Sequence, residues 1–79
     1  TMPRKYKYSL KFKKVDGSEE VYEDMAINDL VETIENLFMT HYSIKMKVSH
    51  SIIYNMCSRN VKVNQLLRSK TEVRKNMGE

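Results

Sequence analysis

The groups best suited to touch a polyanion gather in one short stretch between Ser43 and Arg59. Ile52, Ile53 and Met56 fall there at i, i+1 and i+4, the spacing of one side of a short helix over about 49–59. Ser49 precedes them, and its hydroxyl suits it to cap that helix by accepting a backbone N–H of the first turn. The opposite side carries His50, Ser51, Tyr54, Asn55, Ser58 and Arg59. These types donate to phosphate or read base edges. Asparagine pairs with adenine and arginine with guanine in a bidentate manner, while tyrosine can stack on an unpaired base. Lys45, Lys47 and Lys62 bracket the helix with positive charge and complete the expected nucleic-acid site. Any amphipathic surface helix has a polar face, so this reading rests on the charge around it.

Other chemistries find less support in the residues. The chain has no glycine-rich phosphate loop, no paired carboxylates in an expected cleft and no metal-ligand spacing, so no enzyme activity, cofactor or metal site is expected. His50 and Cys57 lie seven apart, nearly two helical turns, and can share a face without making the contact a nucleophilic pair needs. The single cysteine excludes an internal disulfide and points to a reducing compartment, cytoplasmic or nuclear. No apolar run is long enough to span a bilayer, and the start carries no secretory pattern, so no membrane partner is expected.

The elements that must position the site read as one small α+β domain of 79 residues. Its core is modest, and a second copy, as a homodimer, is one way to extend it. A composition 41% hydrophobic and 30% charged is that of a globular chain and not of a disordered one. From Lys5 to Val15 the residues alternate, Tyr6, Tyr8, Leu10 and Phe12 against Lys5, Lys7, Ser9, Lys11 and Lys13, which predicts a half-buried strand. Asp16-Gly17 then turns the chain into a return strand over about Glu19 to Met25, closing a hairpin over 5–25. A two-residue loop sets Phe12 opposite Val21 and Lys13 opposite Glu20. A three-residue loop shifts the register and sets Phe12 against Tyr22.

Ile27, Leu30, Val31, Ile34, Leu37 and Phe38 form a full amphipathic stripe, predicting a helix over about 27–42 with Asn28 and Asp29 as cap and dipole partner. Glu32 and Glu35 add acid to its exposed side. His41 extends the stripe as a packing residue or a partner for the helix C-terminus. Ile44, Met46 and Val48 plug the core from a short strand or a turn, with Lys45 and Lys47 outward. In the tail, a helical turn near 63–67 and a strand over about 68–75 are expected, the strand adding a third member to a hairpin that alone is marginally stable.

Charge is segregated along the chain. Residues 1–15 hold six bases and no acid, residues 16–35 eight acids and no base, and residues 36–79 eight bases and two acids, for a net charge of +4. A chain so divided can present its basic part to a polyanion and its acidic part elsewhere. For the first basic block, pairing with the adjacent acids is the expected fate.

The order of strand, Asp-Gly turn, strand and amphipathic helix, followed by Val48-Ser49-His50-Ser51-Ile52-Ile53-Tyr54-Asn55-Met56, resembles small phage and viral helix-turn-helix modules, including those attached to homing endonucleases. The resemblance implies nucleic-acid binding, DNA more than RNA, by a regulator of phage or viral type acting through the exposed positions of the second helix. The connection between the helices is longer than in that pattern and lacks its turn glycine. The alternative function is a protein-interaction module or small inhibitor whose acidic face, residues 19–35, binds a basic partner or imitates nucleic acid.

Overall fold

The computed structural model describes residues 6–58 and 64–77. In chain order these form β1 (Tyr6–Lys13), β2 (Glu19–Met25), α1 (Ile27–Tyr42), α2 (His50–Met56), α3 (Gln65–Lys70) and β3 (Thr71–Met77). The three strands make one antiparallel sheet in the order β2-β1-β3, so β1 is central and pairs on both sides. This is an α+β fold with an N-terminal hairpin and a C-terminal strand joining its sheet.

Alternation in β1 decides which face of the sheet is buried. Tyr8, Leu10 and Phe12 point inward, where Leu10 and Phe12 join Leu30, Ile34, Phe38, Ile53 and Leu67 among the fully buried side chains. Phe12 meets Phe38 edge-to-face, with ring centroids 5.3 Å apart. All three helices contribute to this one core, and the lysines of β1 are left on the opposite face.

The hairpin register differs from both expected versions. Its loop is three residues long, Val15 to Gly17, with Lys14 N–H donating to Ser18 O (2.8 Å) and Gly17 N–H to Lys14 O (3.0 Å). Phe12 is therefore opposite Glu20, Lys13 opposite Glu19, Lys11 opposite Val21 and Leu10 opposite Tyr22. The reason is local. Gly17 takes φ +92°, and Asp16 Oδ1 accepts from both the N–H and the hydroxyl of Ser18, which begins the turn one residue earlier than an Asp16-Gly17 centre would. A bulge near Asp24, itself at φ 58°, then shifts the pairing so that Met25 is opposite Tyr8.

Glu20, though opposite a buried ring, is not isolated. Its carboxylate accepts from the Tyr22 hydroxyl (2.5 Å) and pairs with Lys14 Nζ (3.2 Å), while His41 Nε2 of the last turn of α1 lies 3.6 Å away. The Tyr42 hydroxyl donates to Lys13 O (2.6 Å), so the end of α1 is tied to the hairpin at two points. His41 also packs against Phe12, with centroids 5.9 Å apart, in agreement with its expected packing role.

At its start α1 departs from expectation. Its N-cap is Ala26, with no side-chain cap bond, so Asn28 and Asp29 lie inside the first turn. Asp29 remains a favourable dipole partner there, whereas Asn28 is used elsewhere, as described below. At the other end Ser43 adopts a left-handed φ of 57°, and the N–H groups of Ser43 and Ile44 donate to Met39 O and Phe38 O. The connection then runs without regular structure to Ser49. Val48 is buried, Ile44 and Met46 pack against the core, and Lys45 and Lys47 are exposed. Glu35 is partly buried, and its carboxylate accepts the Val48 N–H (2.9 Å).

In the tail, helix replaces part of the expected strand. Asn64 caps α3 by accepting from Leu67 N–H (3.1 Å), and the helix runs on through Arg68–Lys70 before β3 begins at Thr71. Thr71 and Ser69 hydroxyls donate to the carbonyls of Leu67 and Leu66, and Leu67 O also accepts the Thr71 N–H, so the last turn is closed by side chain and backbone together. Val63, where the turn was expected to start, lies outside the described residues.

Two stability tests follow from this geometry. A Cβ on Gly17 would meet nothing within 4 Å, so the constraint there is φ alone. Gly17→Val should lower the melting temperature, and Gly17→Asn, which tolerates a left-handed backbone, should recover most of the loss. Glu20 is held below the usual carboxylate range, chiefly by the Tyr22 hydroxyl and then by Lys14. A depressed folded value stabilises above the unfolded value, and that increment disappears as pH falls through the folded one. Chemical denaturation should therefore show Glu20→Gln less stable than the parent at neutral pH and equal to it once both are titrated well below pH ~4.

Candidate nucleic-acid interface

Helix α2 is short because its signals are short. Ser49 accepts from Ile52 N–H (3.3 Å) to begin it, and the helix ends at Met56. Ile53 is fully buried, with Ile52 and Met56 packed partly beneath. This orientation leaves His50, Ser51, Tyr54 and Ser58 exposed, as the sequence pattern requires, with Tyr54 52% accessible and Asn55 half-buried. Arg59 and Lys62 lie outside the described residues.

His50 and Tyr54 come together on one side, their rings edge-to-face at 6.5 Å. His50 Nε2 lies 2.8 Å from Asn28 Oδ1, so α1 orients the imidazole. Lys45 and Lys47 instead share a shallow depression with Glu35 and Met46. The carboxylate there makes the two lysines a weaker attraction for phosphate than their sequence positions imply.

A groove of about 830 Å³ separates α2 from the edge strand β3. Tyr54, Met56 and Ser58 stand on one wall, and Glu72, Arg74, Lys75 and Asn76 on the other. Lys75 Nζ lies 4.7 Å over the Tyr6 ring, a cation–π contact. Tyr6, Arg74, Lys75 and Asn76 were absent from the set expected by sequence. They meet because β3 pairs with β1, with Tyr8 opposite Lys75 and Tyr6 opposite Met77. The only signal in the sequence was the alternation of the tail, which suggested a strand without saying beside which neighbour.

Cys57 lies at the floor of this groove. Its thiol donates weakly to Val73 O at 3.9 Å. Burial raises its pKa, with Lys75 pulling in the other direction. Tyr8 is shifted upward as well, by burial first and then by neighbouring Tyr54 and Cys57. The floor is therefore uncharged near neutral pH, and since Arg74 is paired with Glu72 at 3.0 Å on the groove's edge, Lys75 supplies its uncompensated positive charge. Among the described residues, no three of His, Cys, Asp and Glu are grouped so as to hold a metal ion. No helix among them is long and apolar enough to cross a membrane.

Comparison with family models, curated proteins and solved structures gives no match. The arrangement itself offers an exposed aromatic ring, the Ser58 hydroxyl and the Lys75 ammonium along an open groove, beside the Arg74–Glu72 ion pair. A thiol of raised pKa is a poor nucleophile. Labelling by a disulfide reagent near neutral pH should therefore be slow for Cys57 in the folded protein and fast after unfolding.

Proposed function

We propose that this chain binds nucleic acid, single strands in preference to duplex, along the groove between α2 and β3. The observation that carries the reading is Tyr54, half exposed at the lip of a groove whose far wall carries Lys75, Asn76 and the Arg74–Glu72 ion pair. An exposed ring beside cations is the pairing that single-strand binders use. The ring stacks on any base, and the cations follow the backbone. His50 and Ser51 add donors along the same helix and Ser58 just beyond its end, and the ring face needs no particular base edge. A duplex would offer Tyr54 only paired, stacked bases.

The test is fluorescence anisotropy at fixed salt with single-stranded DNA, single-stranded RNA and duplex DNA. Tyr54→Ala should weaken single-strand binding by about 1–3 kcal/mol while leaving the fold intact. Lys75→Gln should weaken it about equally for all sequences and reduce the salt dependence. Unchanged single-strand affinity in Tyr54→Ala rejects the groove. Should the parent chain bind no nucleic acid and pass through heparin at low salt, the acidic residues of β2 and α1 become the better candidate surface, with a basic protein as partner.

A further inference from the structure

The first basic block was expected to be neutralised by the acids that follow it, and the structure shows this only in part. Lys7, Lys11 and Lys13 are all exposed on the face of the sheet opposite the helices. Lys11 has Val21 beside it on β2 and Glu72 on β3. Glu72, however, is engaged by Arg74 of its own strand through both Nε and a terminal guanidinium nitrogen, each at 3.0 Å. Lys13 is opposite Glu19. Among the described residues, the ion pair within 4 Å that this block makes is Lys14 with Glu20, on the other face. Val21 is 57% exposed, so on the β2 side Lys11 has an apolar neighbour directly across, while Glu19 lies across from Lys13 without an ion pair within 4 Å.

The row has a regular spacing. Alternate residues of a strand are about 7 Å apart, so in the file Lys7, Ser9, Lys11 and Lys13 the last two lysines can meet neighbouring phosphates of an extended strand, and Lys7 the phosphate two steps further on, with Ser9 at the one between. Lys11 and Lys13 also share a cleft with Arg68 and Lys70 of α3, where Glu19 and Glu72 are the two acids against four bases. The file connects to the α2 groove at β3, an edge strand with no strand on its far side among the described residues. Arg74 lines the groove and also the depression that holds Lys11 and Val21. Asn76 lines the groove too and donates from Nδ2 to Ser9 Oγ (3.0 Å) in the lysine file.

We infer that a single strand bound at α2 continues around the β3 edge and lays its phosphates along the β1 lysines on the open face of the sheet. This rests on the nucleic-acid reading above. The occupant is set by charge and stiffness together. A file of cations matches a repeating anion, and the two faces lie on opposite sides of a body whose shorter extents are 23 and 19 Å. A single strand can turn around so narrow an edge, whereas a duplex, with a persistence length of about 150 base pairs, cannot.

The experiment measures binding of thymidine oligonucleotides of about five and about twenty nucleotides, a range that brackets single-strand site sizes, across a salt series. The triple variant Lys7→Gln, Lys11→Gln, Lys13→Gln should match the parent on the short oligonucleotide. On the long one it should bind more weakly, with a salt slope lower by about two units. The corresponding triple arginine variant should behave as the parent, and circular dichroism should show all of them folded. If the triple glutamine variant does not fold, Lys11→Gln and Lys13→Gln are measured singly, each with about 0.7 unit of slope expected to be lost. Parent-like affinity and slope for the folded glutamine variants on the long oligonucleotide overturn the inference while leaving the α2 groove standing. A parent that binds neither oligonucleotide overturns both. Binding to phosphatidylserine vesicles through these lysines, without oligonucleotide binding, assigns the face to a membrane surface and likewise overturns the proposal.

Discussion

The rest of this structure depends on the central strand β1, which pairs with both other strands and inserts Phe12 into the core. Because a strand alternates its side chains with period two, one commitment settles two surfaces at once. With Tyr8, Leu10 and Phe12 inward, the lysines between them must face out. A slip of one residue would bury lysines and expose the rings, so the core and the basic face stand or fall together. Phe12 enforces the choice: it has no exposure and contacts Phe38, His41 and Tyr42, so the last turns of α1 are packed around it.

Polar groups then fix what packing leaves adjustable. Glu20 accepts from Tyr22 and pairs with Lys14, while Tyr42 donates to the backbone of Lys13, so the hairpin turn and the end of α1 hold each other in place. At the opposite end of α1, Asn28 meets His50 and Glu35 receives the Val48 N–H, which together seat the long connection and the start of α2. Two of the acids that the charge pattern assigned to a repelling surface are thus occupied inside the fold. The net charge of a segment overstated the field it projects.

The same economy shapes the candidate interface. Helix α2 buries Ile53 and presents Tyr54, but seven residues offer little surface alone. It becomes a groove only because β3 returns beside β1 and carries Arg74, Lys75 and Asn76 to its flank. Contact between Lys75 and Tyr6 joins residues from the two ends of the chain. A burial-raised thiol at the groove floor contributes no charge, so electrostatic attraction there is confined to the rim.

By itself the sequence determined the elements whose signals are local and periodic: the alternation of β1, the stripe of α1 and the Ser49 cap with the apolar side of α2. Each follows from a spacing that any neighbour would have to respect. It also identified His50, Ser51 and Tyr54 as the exposed side of α2, since burying Ile53 leaves those positions no other direction. The helix stops at Met56 and not near 59, however, so Ser58 is exposed beyond its end, and Asn55, expected on the same side, is half-buried. What tertiary structure alone decided involves competition between distant or equivalent partners. Gly17 can serve several loops, and only the bonds among Lys14, Asp16 and Ser18 choose the register that sets Lys11 beside Val21 instead of an acid. Asn28 resembles a cap by type, yet a histidine 22 residues away claims its carbonyl. Residues 68–70 suit helix or strand, and the Asn64 cap with the Thr71 hydroxyl on Leu67 O resolves them as helix. The far wall of the groove was invisible for the same reason: alternation marks a strand, but only the pairing of β3 with β1 says what it lies beside.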